Sequence, residues 1–329
     1  MKLRNRRILQ RLIATACFVV LVLVWAAGHR EPRLGRMFSR EAGKAERPAD
    51  ARMAIVTTIL SPDPSFPVWL EYHLRRVDCI LLFLDDPSKT AIFEELVGDR
   101  RVVLFNGSTA QADMTPESRL IWRQDENNDV AIQFAQANHI DWLLHLDVDE
   151  LFHDQHNSTW QTLPDVGMVR FYNVEAVFLP YEIDNYFDDC RLFKPDEGDL
   201  PYSAYVYGKS AVRVSPNVRS DGPHEFAGYD GKDIIVRNPV ILHYPTPTYE
   251  RWVAKYRHYG NFSDYWFDNP DMPLIPFMME SRDVIRSAFM SGDWEEAREY
   301  YISWIPDAAS VLGYLESGDL VRFSPLNSM

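Results

Sequence analysis

Between residues 50 and 150, apolar side chains come in short unbroken runs and not at helical spacing. Met53–Leu60 (MAIVTTIL), Val77–Leu84 (VDCILLFL), Arg101–Phe105 and Trp142–Leu146 (WLLHL) read as strands. Runs of this kind belong to strands buried on both faces, as in parallel sheets covered by helices. Helical spacing lies between them. Val68–Arg76 places Trp69, Leu70, His73 and Leu74 on one face, and Thr90–Val97 and Asp129–Asn138 follow the same period. Strand, helix, strand in regular alternation predicts an α/β fold, a mainly parallel sheet sandwiched by helices.

The pattern changes after residue 152. Val166–Tyr172, Val174–Leu179, Gly208–Val214, Asp233–Val236 and Val240–Tyr244 read as further strands, with an aromatic, Asp-rich loop over 181–205. From Thr248 the period is helical, over Tyr249–Tyr259, Ser281–Met290 and Trp294–Trp304. Asp293 is placed to cap the last of these, and Ile305-Pro306 to end it. No internal repeat or low-complexity tract interrupts the order.

The N-terminus is different in kind. Lys2, Arg4, Arg6, Arg7 and Arg11 precede the apolar run Leu12–Ala27, which as a helix spans about 24 Å at ~1.5 Å per residue, enough for a thin membrane. A signal peptide cut at Ala26-Ala27-Gly28 is the rival, and the long basic head and bulky Trp25 favour an uncleaved anchor. Glu31–Asp50 is charged, carries Pro32, Gly35, Gly43 and Pro48, and reads as a flexible stem. The expected division is 1–28 cytosolic head and transmembrane anchor, 29–50 stem, 51–265 catalytic domain and 266–329 helical C-terminal extension. Sequons at Asn106, Asn157 and Asn261 favour a body in the lumen of the endoplasmic reticulum or Golgi, as a single-pass type II protein.

Charge narrows the partners. The net charge is −14, but the first fifty residues carry 11 Lys/Arg against 4 Asp/Glu and the rest 23 against 44, so the body stands at −21. That excludes nucleic-acid binding by phosphate neutralisation, and a phosphorylated ligand would need a metal to mediate. Three cysteines, Cys17, Cys79 and Cys190, exclude a disulfide framework and a Cys-based zinc site. Two buried thiols are expected at Cys79 and Cys190, with a bridge between them the alternative.

The chemistry concentrates where the Trp142 strand ends. Asp147, Asp149 and Glu150 follow an apolar run directly, and unpaired carboxylates so close to a core call for a cation. In extended chain Asp147 and Asp149 point the same way, two oxygen donors for one hard divalent ion. A solvated acidic turn is the plain alternative. Asp85-Asp86 closes another strand and should open on the same sheet edge, unless it simply starts a helix. His243, directly after the apolar Pro239–Leu242, is a neutral nitrogen donor in reach of that edge. Lys209 and Arg213 are candidates for donor phosphate or acceptor contacts, with solvated sheet positions as the alternative. Tyr181, Tyr186, Phe187, Tyr202, Tyr205 and Tyr207 supply aromatic faces for a sugar platform or for the core.

These pieces, in this order, resemble glycosyltransferases of the GT-A fold, in particular the family 2-like and family 92-like groups. The likeness is carried by Trp69-Leu-Glu-Tyr-His73, Leu82-Phe-Leu-Asp-Asp-Pro-Ser88, Asp141-Trp-Leu-Leu-His-Leu-Asp-Val-Asp-Glu-Leu-Phe152, Gly208-Lys-Ser-Ala-Val-Arg213, and Ile241-Leu-His-Tyr244 with Trp252 and Lys255, covering about 53–260. It implies transfer of a sugar from a nucleotide diphosphate, most often a UDP-sugar, to a glycan or glycoprotein. By the same analogy Asp147 and Asp149 hold Mn²⁺ or Mg²⁺, His243 is the late metal ligand, and Asp85 or Asp86 meets uracil or ribose. An inverting enzyme also needs a general base, for which Glu225, His224 and Asp221 in Ser220-Asp-Gly-Pro-His-Glu-Phe226 are the candidates; the Glu-Asp pair of many family 2 enzymes is absent, which leaves inverting and retaining chemistry both open. Two other readings stand beside this one. A dehalogenase-type phosphatase would place its Asp-x-Asp near the domain start, and a non-catalytic sugar-binding protein on a transferase fold would bind nucleotide without turnover.

Overall fold

A computed structural model of the chain describes residues 51–107, 120–154, 158–179, 183–195, 207–259 and 276–326. The expected anchor and stem lie outside these residues, as do Ser108, Asn157 and Asn261 of the sequons. Among the described residues no helix is long and apolar enough to cross a membrane.

Four parallel strands form one side of a ten-stranded sheet: β4 (Trp142–His145), β1 (Met53–Ile59), β2 (Cys79–Leu84) and, at the edge, β3 (Val102–Asn106), side by side in that order. Their side chains alternate between two cores, as the pleat requires. Ile55, Ile80, Leu82 and Leu144 face Trp69 and Phe93 on helices α1 (Phe66–Leu74) and α2 (Thr90–Leu96). Ala54, Val56, Leu81 and Leu143 face Ala131, Phe134 and Ala135 on α3 (Leu120–Ala137). Both faces are therefore dry, which is why the runs carry no polar alternation.

Beyond β4 the sheet turns antiparallel. β8 (Tyr207–Arg213) joins β4 to β6 (Val166–Ala176), and β6 leads to β7 (Leu192–Lys194) and β12 (Val321–Arg322). β11 (Lys232–His243) runs parallel to β6 and antiparallel to the four-residue β5 (Glu150–His153). The two strands expected over 166–179 are one, and so are those over 233–244, where the register of β11 shifts between Val236 and Val240. A small hairpin, β9 (Arg219–Ser220) and β10 (Phe226–Ala227), stands apart from the sheet.

α4 (Tyr186–Asp189) is a single turn. α5 (Tyr249–Tyr259), α6 (Pro276–Ser291) and α7 (Glu295–Ser303) bury Trp252, Tyr256, Ile285, Ala288, Ala297 and Tyr301 together. α7 starts one residue later than expected, so Trp294 takes the cap position and Asp293, just before it, accepts the Glu295 N–H at 3.0 Å. α8 (Ala308–Ser317) follows, capped by Asp307 and ended by Gly318 at φ 84°. The C-terminal segment is thus not helical throughout, because β12 returns to the sheet edge. Cys79 and Cys190 are buried free thiols.

Candidate functional site

Parallel strands deliver their carboxyl ends to one edge, and the site is built there. β2 ends in Asp85, β4 runs through Leu146 into Asp147, and the Leu146 N–H still bonds Val56 O at 3.0 Å. The chain then turns. Glu150 donates its N–H to Asp147 O at 3.1 Å and accepts the Asp147 N–H on Oε2 at 2.8 Å. Asp147 and Asp149 therefore do not share the extended orientation expected from sequence, and their carboxylates find different partners.

Asp147 belongs to a buried cluster. Lys209 Nζ lies 2.7 Å from its Oδ2, and Gln124 Nε2 donates to its Oδ1 at 3.2 Å. The Lys209 side chain is 0% exposed, also lying 3.9 Å from Glu150 Oε2. Burial works against the lysine charge, yet Asp147 and Glu150 outweigh it and raise its pKa. Burial would also raise Asp147, but Lys209 and then His145 hold it well below the usual carboxylate range. Glu150, 0% exposed, is pushed upward by burial, partly offset by Lys209. Enclosed in this way, the Lys209 ammonium serves Asp147.

Asp149 turns to the other side. His243 Nε2 lies 3.9 Å and Lys255 Nζ 3.4 Å from its Oδ2, and the Tyr244 N–H bonds its carbonyl at 2.8 Å. His243 Nδ1 donates to Glu175 Oε2 at 2.9 Å, and Asn173 Nδ2 holds the other Glu175 oxygen at 2.7 Å. Burial lowers the His243 pKa, but Glu175 and then Asp149 overcome it and lift it to about 9. A histidine oriented through Nδ1 by a carboxylate presents Nε2 as metal-ligating histidines do. Among the described residues no group of three or more His, Cys, Asp or Glu side chains forms a metal cluster. The residues brought together are a pair, Asp149 and His243.

The donor-binding candidates have protein partners. Asp85 receives Arg123 in a two-pronged ion pair, Nε to Oδ1 at 2.5 Å and Nη2 to Oδ2 at 2.8 Å. Asp86 caps the 3₁₀ turn Pro87–Lys89, accepting the Ser88 N–H at 3.1 Å and its hydroxyl at 2.6 Å. Arg213 bonds Val166 O at 2.9 Å and Leu163 O at 3.2 Å and stacks on Trp142, so it ties strands together. Tyr186 and Phe187 are core residues packed on Tyr244. Tyr181, Tyr202 and Tyr205 lie outside the described residues, as does the side chain of Tyr207.

The three base candidates occupy the tip of the β9–β10 hairpin. Asp221 and Glu225 are exposed, and Glu225 pairs with Arg170 at 3.2 Å. His224 donates Nδ1–H to Gly208 O at 2.5 Å, while burial and then Lys209 depress its pKa to about 3. Pro223 O accepts from Lys209 Nζ at 3.4 Å and from His145 Nδ1. Of the three, His224 is the one coupled to the Asp147–Lys209 pair.

Sequence reasoning passed over Glu175, Arg123 and Gln124. Glu175 left a signal, as the one carboxylate in the apolar run Val174–Leu179. So did the seven-residue polar run Arg123–Asp129, which is too long for the solvated face of a helix that packs on a core.

No family model matches this chain. It is similar to Glycosyltransferase-like At2g41451 of Arabidopsis thaliana, 29% identical over 246 residues, covering 63% of this chain and 51% of that protein. It is also similar to Glycosyltransferase-like At3g57200 of the same plant, 27% identical over 157 residues, covering 40% of this chain and 30% of that protein. The chain thus spans about half the length of the first relative and less of the second, and both likenesses support a glycosyltransferase family for it.

Proposed function

We propose that the chain is a metal-dependent glycosyltransferase that takes a sugar from a nucleotide diphosphate, UDP first among them, and passes it to a hydroxyl of a glycan or glycoprotein. The observation that carries this reading is the pair Asp149 and His243. They meet at 3.9 Å at the edge where Asp85 and Asp147 also emerge, with Glu175 fixing the far side of the imidazole. Asp149 and His243 would hold Mn²⁺ or Mg²⁺ through one carboxylate oxygen and one imidazole nitrogen that gives up its proton on binding. Such an ion would neutralise charge gathering on the departing nucleotide. Asp147, fixed by Lys209 and Gln124, offers a carboxylate oxygen to the donor ribose. Arg123 and Asp85 shape the nucleoside end. Among the base candidates His224 lies closest to the Asp147–Lys209 pair and would act on the acceptor hydroxyl, with burial and Lys209 weakening it as a base.

The names of the two relatives support the reaction class. The basic head and the Leu12–Ala27 run support a luminal body behind a membrane anchor. The test is a panel of UDP-sugars offered to the purified chain with Mn²⁺ and mixed glycan acceptors, reading UDP release. Metal-dependent release is expected, and Asp149→Asn should abolish it while leaving the thermal midpoint within a few degrees. UDP binding without release across the panel would favour a sugar-binding protein. Full activity in Asp149→Asn would remove the metal assignment.

A further inference from the structure

Six contacts run from the Arg123–Asp129 segment of α3 to the strand ends and to the β9–β10 hairpin. Arg123 holds Asp85 after β2, Gln124 holds Asp147 after β4, and Asn127 Nδ2 donates to Thr58 Oγ1 in β1 at 2.9 Å. The next turn of the helix grips the β9–β10 hairpin. Asp125 Oδ1 accepts the Gly222 N–H at 2.9 Å, Asp129 Oδ1 accepts the Ser220 N–H at 2.8 Å, and Asn128 Nδ2 donates to Ser220 Oγ at 3.3 Å. Asp125 and Asp129 are four apart, so both carboxylates lie on one helix face and meet two amides of one loop. Gly222 has φ 89°, which turns the hairpin tip toward the sheet edge. The tip is thereby held where Pro223 O meets Lys209 and His224 meets Gly208.

We propose that the Arg123–Asp129 segment of α3 is a brace for the reactive hairpin, with Asp125 and Asp129 as positioning residues that hold Ser220–His224 against the Asp147–Lys209 pair. Neither carboxylate need touch substrate. Charged acceptors are suited to this task, because hydrogen bonds from backbone N–H to carboxylate are shorter and stronger than neutral ones. The helix is seated independently, since Ala131, Phe134 and Ala135 in its following turns are buried in the core. The brace therefore transmits a fixed position from the core to a hairpin that has no strand partner in the main sheet. Asp221 and Glu225 are exposed, Glu225 pairing with Arg170, so of the three base candidates the brace positions His224.

The consequence for activity rests on the transferase reading; the consequence for the hairpin does not. The experiment compares Asp125→Ala and Asp129→Ala with Asp125→Asn and Asp129→Asn in the full chain. Amide exchange across 219–226 and steady-state transfer are measured on each. The alanine variants should exchange the Ser220 and Gly222 amides at least about tenfold faster, with β1 and β2 amides unchanged, since each loses a strong local hydrogen bond. They should lower kcat by about 10–100-fold and leave KM for the donor within about threefold, as a residue outside the donor pocket requires. The asparagine variants keep an acceptor oxygen and should stay near wild type in both. Unchanged exchange in the alanine variants overturns the brace, and so does faster exchange with unaltered kcat. If the wild type transfers no sugar at all, the transferase reading fails on its own, and the exchange data still decide whether α3 holds the hairpin.

Discussion

The arrangement of His243 and Glu175 sets a pH dependence that can be read directly. The folded pKa of His243 is about 9, against 6.5 for a free imidazole, because the Glu175 carboxylate overrides the burial penalty. A raised basic pKa adds stability that is complete below pH 6.5 and is lost as pH rises through about 9. Wild-type thermal midpoints should therefore fall between pH 6.5 and 9.5 by more than those of Glu175→Gln, in which this source of stability is reduced at every pH. A metal ion must displace the same proton, so Mn²⁺ should bind more tightly at pH 8.5 than at 6.5. Calorimetry at the two pH values checks this, and equal affinity with no proton release would show that His243 is not a ligand. Glu175 itself was legible only as an anomaly, a charge on a buried strand. Its partner sits 68 residues away, and nothing local in the chain announces the pair.

Among the elements, the link between α1 and β5 explains how a four-residue strand keeps the carboxylates in place. Trp69 Nε1 donates to Glu150 O at 2.7 Å, and His73 Nε2 accepts the Phe152 N–H at 3.1 Å. The other His73 nitrogen donates to Trp69 O at 2.9 Å, so both ring atoms are used by a neutral ring. Burial depresses its pKa to about 3, which keeps it neutral throughout the useful pH range. His73→Ala leaves the Phe152 N–H buried without its partner. It should cost about 1–3 kcal/mol for that group, with further loss from the space once filled by a ring packed on Trp69. Urea denaturation measures it, and a change below about 0.5 kcal/mol would mean that β11 and the Trp69 bond hold β5 without His73. The elements differed in how well they could be read. β1, β2 and β4 are unbroken apolar runs because both faces are dry. β5 starts with a carboxylate and contains two polar residues, so no period marks it. The first nine residues of α3 lack an apolar stripe because that part of the helix answers to the site.

At the scale of the whole molecule, the C-terminal segment closes the sheet on the side where β5 lies. Leu320 is 2% exposed and its N–H bonds Tyr314 O at 2.9 Å, which fixes the exit from α8. Val321 and Arg322 then pair with β7, and the Phe323 N–H bonds Arg191 O at 3.0 Å. Phe323 stacks on Phe193 with ring centroids 4.5 Å apart and on His153 at 5.4 Å, so the last strand touches both β7 and the end of β5. The same His153 shares a hydrogen bond with the Tyr72 hydroxyl at 2.9 Å, which carries the contact on to α1. A two-residue strand has no apolar period to read, and its place depends on a partner more than a hundred residues away. Phe323→Ala removes the stacking while leaving the backbone pairing intact. Half-buried aromatic truncation should cost about 1.5–3 kcal/mol, below the 3–5 of a fully buried ring. Deleting residues 319–329 goes further, because it strips the cover from β7 and leaves an open edge that invites self-association. The deletion should therefore lower the thermal midpoint by more than Phe323→Ala and add concentration-dependent light scattering, which the point variant lacks. Equal midpoints for the deletion and the wild type would show that β12 merely rests on the sheet, with α8 held by the packing of Val311 on Val177 and Leu192.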